Sequence, residues 1–118
     1  MLVLIILISC APPIPTKKVP TEFKAGQTYF HQVCSNCHGP DAMSPPNFKA
    51  PRLIDEDYLR ENFSDADIRE TIKNGTDKMP SQKEKFNDIQ IGEIIKYLRY
   101  SQEEAGLLVE DNDSIEDE

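Results

Sequence analysis

From position 21 onward the apolar residues recur with a helical period rather than an alternating one. Phe23, Gly26, Phe30, Val33 and Cys34 fall at i, i+3, i+7, i+10 and i+11, one face of a helix. Thr21 is the expected N-cap of that helix. A second helix is predicted over Glu56 to Asn62. The third has clear limits: Ser64 caps it, acids fill its first turn, and Asn74-Gly75 stops it. The last begins near Asn87, with Gln90 three residues on, and runs to about Glu104. It places Ile91, Ile94, Ile95 and Leu98 on one stripe. No segment alternates as a strand does. The stretches 39–53 and 75–86, which hold Pro, Gly, Asn and Ser, read as loops near the upper length for a segment without its own structure. Loops that long need something to wrap around, so the expectation is an all-α domain of three to four helices built around a non-protein group.

Both ends depart from this pattern. Leu2 to Ile8 is an apolar run of seven, far short of the ~20 residues that span a bilayer but suited to a short secretory leader. Leu7-Ile8-Ser9-Cys10 resembles the lipobox of bacterial lipoproteins, which would make Cys10 a lipid anchor, although no Lys or Arg precedes the run. The other reading is a free cysteine after a short apolar stretch. Residues 11–20 contain four prolines. Such a segment favours extended geometry and would act as a spacer of about 30 Å, or else is a leader without a role. The chain then divides into a leader (1–9), a Pro-rich tether (10–20), a globular domain (21–104) and an acidic tail (105–118) that is expected to be disordered.

Charge changes the picture once it is located. Residues 1–102 hold 13 acids and 13 bases, whereas residues 103–118 hold eight acids and no base. The net charge of −8 therefore belongs to the tail. The domain has no basic stripe to track a phosphate backbone, which excludes a nucleic-acid partner. A chain of 118 residues also buries only a modest core of its own, and a large apolar cofactor would add to it.

The candidate chemistry sits in Cys34-Ser35-Asn36-Cys37-His38. Two cysteines three apart at a helix end point to one side. That geometry suits two thioethers to one porphyrin edge, with the following histidine under the ring, and the pattern is the c-type haem attachment signature. Rival readings remain. A structural zinc site needs four ligands, and beyond these residues the chain offers only Cys10 and His31. A thioredoxin-like pair needs a βαβ setting. A Cys34–Cys37 disulfide is open in an oxidising compartment. A second axial ligand has to come from farther along. Met43 follows His38 too closely, whereas Met79, 41 residues beyond it in Lys78-Met79-Pro80, lies in a loop with almost no other apolar residue. Met79 is thus the candidate ligand opposite His38.

From about Thr21 to Ser101 the chain resembles the class I cytochrome c family, particularly the short bacterial periplasmic members. Gly26, Phe30 and Cys34 match the four-residue steps of its first helix, and Tyr97-Leu98 the aromatic–leucine pair of its last. The resemblance implies a cytochrome c fold around one covalent haem c, with the last helix crossing the first at Gly26. It implies that the Pro51 carbonyl, in Ala50-Pro51-Arg52-Leu53, accepts a hydrogen bond from the ring N–H of His38. It implies too that Ile72 and Asn74-Gly75 precede the ligand loop, making Gly75 part of the cofactor site. His and Met on iron favour the reduced state and leave no open position. The function implied is one-electron transfer between extracytoplasmic redox proteins such as dehydrogenases, reductases or oxidases, without catalysis by the protein itself. It would work on the periplasmic side or cell surface, alone or as a subunit of an oxidoreductase. The alternative is a haem-based gas- or peroxide-binding sensor, or a catalytic subunit, with an open sixth position. Lys73, Lys78, Lys83 and Lys85 cluster along the sequence and are candidates for steering an acidic partner.

Overall fold

The computed structural model describes residues 11–107, and Cys10 and most of the acidic tail lie outside them. Among the described residues there are four α-helices and no strand: α1 (Lys24–Val33), α2 (Ser35–His38), α3 (Asp65–Asn74) and α4 (Asp88–Glu104). Three-residue 3-10 turns stand at Thr21–Phe23, Pro40–Ala42 and Glu56–Tyr58. The all-α expectation holds.

Two helix limits are set as the sequence predicts. Ser64 accepts from Asp67 N at 3.1 Å while Asp67 reaches back to Ser64 N at 3.0 Å. Asn87 and Gln90 repeat this reciprocal cap at the start of α4, and each such cap is worth about 1 kcal/mol. Gly75 ends α3 at φ 71°, where a side chain would be strained.

Two expectations need correction. Thr21 is not an N-cap: the chain enters α1 through the 3-10 turn at Thr21–Phe23, with no side-chain cap. The helix expected over Glu56 to Asn62 is only the turn Glu56–Tyr58, after which Leu59 turns extended (ψ 158°) and is buried. In a continued helix Tyr58 O would accept from Asn62 N. Here it accepts instead from Arg99 and Gln102 of α4. Tertiary hydrogen bonds have taken the acceptor that the helix needed.

α1 crosses α4 at Gly26, where a β-carbon would collide with the carbonyl of Glu93 and come within 2.8 Å of Tyr97 Cβ. Only glycine permits this backbone approach. Phe30, Ile91, Ile94, Tyr97 and Leu98 form the buried seam of the crossing. Phe23 and Tyr100 stack over it with ring centroids 4.2 Å apart. The crossing thus anchors α2, which continues from α1, against the rest of the fold. Part of the Pro-rich segment also lies on the domain. Thr16 N donates to Asp41 Oδ1 at 3.1 Å, Gln27 Nε2 to Lys17 O at 2.8 Å, and Val19 packs against the core.

Candidate cofactor site

Cys34 keeps right-handed helical geometry between α1 and α2, so the attachment pentapeptide runs on almost as one helix. Both Cys34 and Cys37 are free thiols, the first buried and the second exposed. Burial pushes the Cys34 thiol up to about 12, with the Cys37 sulfur adding to the rise and a backbone hydrogen bond opposing it. Burial of this kind makes the Cys34 thiol a poor nucleophile. Among the described residues no group of three or more His, Cys, Asp or Glu could hold a metal ion by itself.

The two histidines have the same tautomer and different availability. His38 Nδ1 lies 2.9 Å from Pro51 O. A carbonyl only accepts, so Nδ1 carries the hydrogen and Nε2 keeps its lone pair. No protein partner among the described residues takes that Nε2. Burial holds the His38 imidazole below its ordinary pKa, and the Pro51 bond opposes the shift without cancelling it. The ring is therefore a neutral donor at neutral pH. His31 also donates from Nδ1, to Gln27 O at 2.7 Å, but its Nε2 accepts from Asp41 N at 3.0 Å. His31 is a structural link and not a ligand candidate.

The Met79 loop is closed by its own turn. Thr76 N donates to Met79 O at 2.8 Å, while Thr76 Oγ1 accepts from Met79 N at 3.0 Å. A β-carbon at Gly75 would meet Met79 O at 2.5 Å and Ser81 N at 2.6 Å, so Gly75 lets the loop fold back on the end of α3. Gln82 N donates to Ile72 O at 2.8 Å and adds a second tie. The Met79 side chain is partly buried against the core.

An open cleft of about 490 Å³ separates the 44–52 loop from Lys78, with Phe48, Lys49, Pro51, Arg52 and Asp55 also lining it. The free thiols and the unpaired donor nitrogen of His38 suit a haem, Cys34 and Cys37 to hold its edge and His38 to meet its iron; of the candidate site residues only Pro51 lines the cleft. Of the sequence-clustered lysines, Lys73 is bound to Asp88 at 3.1 Å, and Lys78 shares its cleft with Lys49 and Arg52 instead.

Sequence reasoning passed over Arg99 and Gln102. Arg99 donates to Asp65, Tyr58 O, Phe63 O and Gln102, and Gln102 to Leu53 O and Tyr58 O. The available signal was the register of Gln102, which follows Leu98 by four on the stripe of Ile91 and Ile95, where the helical period calls for an apolar residue.

The helical fold and the Cys34–His38 site define a c-type cytochrome domain. The family model for cytochrome c oxidase, cbb3-type, subunit III matches residues 21–98, about two thirds of the chain. The chain belongs to that family. No curated protein gives a significant match. The domain is a haem-based electron-transfer module working with redox proteins, and is not itself a catalyst. Domains of this kind are typically extracytoplasmic. Among the described residues no helix is long and apolar enough to cross a membrane.

Proposed function

We propose that this protein is a one-electron carrier holding a single haem c, bound covalently through Cys34 and Cys37, with His38 and Met79 as axial ligands. Haem, when bound, supplies the iron whose one-electron change is the reaction. The chain's own residues do the rest. The Pro51 carbonyl holds the His38 tautomer and strengthens the imidazole as a donor. The Met79 thioether would be the second iron ligand, a donor that favours the reduced state and would leave no place for an exogenous ligand. The packed α1–α4 seam keeps water from one side of the site. The observation that carries the reading is the pairing of His38 Nδ1 with Pro51 O at 2.9 Å, which leaves Nε2 as an unprotonated donor beside two free thiols.

The family's description as an oxidase subunit supports a role in delivering electrons within or to a terminal oxidase. Residues 1–9 serve as leader, Cys10 as lipid anchor at the periplasmic side or cell surface, and residues 11–20 as the link to the domain. Cys10→Ala is then expected to release the protein from the membrane fraction, and unchanged fractionation would remove the anchor.

The test of the main reading is a pair of visible spectra, oxidised and reduced, followed by acid–organic extraction. Colour that stays with the polypeptide, low-spin spectra and a weak far-red band lost in Met79→Ala are the expected results. High-spin iron with rapid CO binding would favour the ligand-binding alternative. Absence of covalent haem would return Cys34 and Cys37 to a disulfide.

A further inference from the structure

The backbone of Leu53 is held on both sides. Its N–H donates to Ala42 O at 3.0 Å, and its carbonyl accepts from Gln102 Nε2 at 3.1 Å. The first holder is rigid. Asp41 N donates to His31 Nε2, and Asp41 and Ala42 both stand in the left-handed region at φ 58° and 60°. The second is rigid as well. Gln102 is 1% exposed, its Oε1 accepts from Arg99 at 2.9 Å, and its other Nε2 hydrogen goes to Tyr58 O at 2.9 Å. Arg99 in turn bonds Asp65 Oδ1 at 2.7 Å and Phe63 O at 2.6 Å. Satisfying a buried glutamine needs partners of any kind. Both Nε2 hydrogens go to carbonyls of the one segment that follows Pro51.

We propose that Gln102 is a positioning residue for His38: by gripping the Leu53 carbonyl opposite Ala42, it fixes the Pro51 carbonyl two residues earlier and thereby the imidazole's orientation and donor strength. The proposal rests on the haem-carrier reading of His38. Two residues span at most ~7 Å of chain, so a shift at Leu53 has little slack in which to fade before Pro51. A weaker bond at Nδ1 makes the imidazole a poorer donor, and poorer donation favours the reduced iron.

The test uses the holoprotein and Gln102→Met, which keeps the volume and removes both donors. Phe23→Ala, at the far stack on Tyr100, is the stability control. Two quantities are read. One is the ratio of reduced to oxidised protein at fixed solution potential. The other is the solvent exchange rate of the His38 Nδ1 proton in the reduced protein. Gln102→Met is expected to raise the ratio roughly three- to tenfold, tenfold being about 59 mV for one electron, and to speed the exchange about tenfold. Phe23→Ala lowers the melting temperature and moves neither. A Gln102→Met protein that melts lower with both readouts unchanged overturns the proposal. Should that variant not accumulate, Gln102→Glu keeps the acceptor for Arg99, and the exchange rate alone decides, because the added charge changes the potential directly. An unsubstituted protein without a His38–iron bond overturns the function reading and the proposal together. A normal low-spin spectrum with unmoved exchange overturns the proposal alone.

Discussion

His38 Nδ1 and the Pro51 carbonyl, thirteen positions apart in sequence, meet at 2.9 Å. His31 makes the same kind of bond, to Gln27 O at 2.7 Å, so the two histidines of the chain differ in use at the other ring nitrogen. Each carries its hydrogen on Nδ1, yet only His38 keeps an uncommitted Nε2, because the Nε2 of His31 is occupied by Asp41 N. A neutral imidazole with a fixed tautomer and a free lone pair is what an iron ligand has to be.

Gly26 tests the helix crossing that carries the site. A β-carbon there collides with the Glu93 carbonyl, and neither helix backbone can give way cheaply. Gly26→Ala is expected to destabilise the holoprotein by about 3 kcal/mol or more, measured by denaturant unfolding followed in the haem absorption.

Gly75 and Gly106 offer a matched pair. Both have positive φ, at 71° and 75°, but a β-carbon on Gly75 meets Met79 O and Ser81 N whereas one on Gly106 meets nothing. Gly106→Ala should cost only the backbone strain, about 1 kcal/mol. Gly75→Ala should cost more and also weaken the far-red band assigned to Met79, as read in the oxidised spectrum.

Tyr97 sets an alkaline limit. Burial pushes its phenol up to about 12, the Asp41 carboxylate adding to the rise and Ser101 opposing it. A folded-state pKa above the unfolded value near 10 means that the folded chain holds the proton more tightly. The associated stability is complete below pH 10 and is lost as pH rises from 10 towards 12. It amounts to roughly 3 kcal/mol at most. Denaturation midpoints measured across pH 9–12 should fall steeply in the unsubstituted protein and less steeply in Tyr97→Phe.

Lysines near the Met79 loop should differ in their influence on charged reagents. Lys78 lines the cleft with Lys49 and Arg52, while Lys73 is held by Asp88. Reduction of ferricyanide at low ionic strength should slow by up to about fivefold in Lys78→Gln or Lys49→Gln, roughly 1 kcal/mol per charge. Lys73→Gln should change it little. The difference should vanish in 0.5 M salt, where the screening length is about 4 Å.

Much of this molecule was legible in its sequence because it is decided over a few residues. The capping pairs Ser64–Asp67 and Asn87–Gln90 set helix ends by contacts three positions apart. The spacing of Cys34, Cys37 and His38 places three side chains on one helical end whatever the rest of the chain does. The stripe of Ile91, Ile94, Ile95 and Leu98 identifies the buried face of α4 through the helical period alone.

The tertiary structure decided what local rules leave open. Glu56 to Asn62 carries a helical pattern, yet the Tyr58 carbonyl is taken by Arg99 and Gln102, more than 40 positions away, and the helix yields. Lys73 and Lys78 are near neighbours in sequence and have unrelated partners in space. A periodic pattern tells which face of an element is buried and not what it is buried against. Hydrogen-bond partners across 40 residues exist only once packing has brought the two backbones to within about 3 Å of a donor.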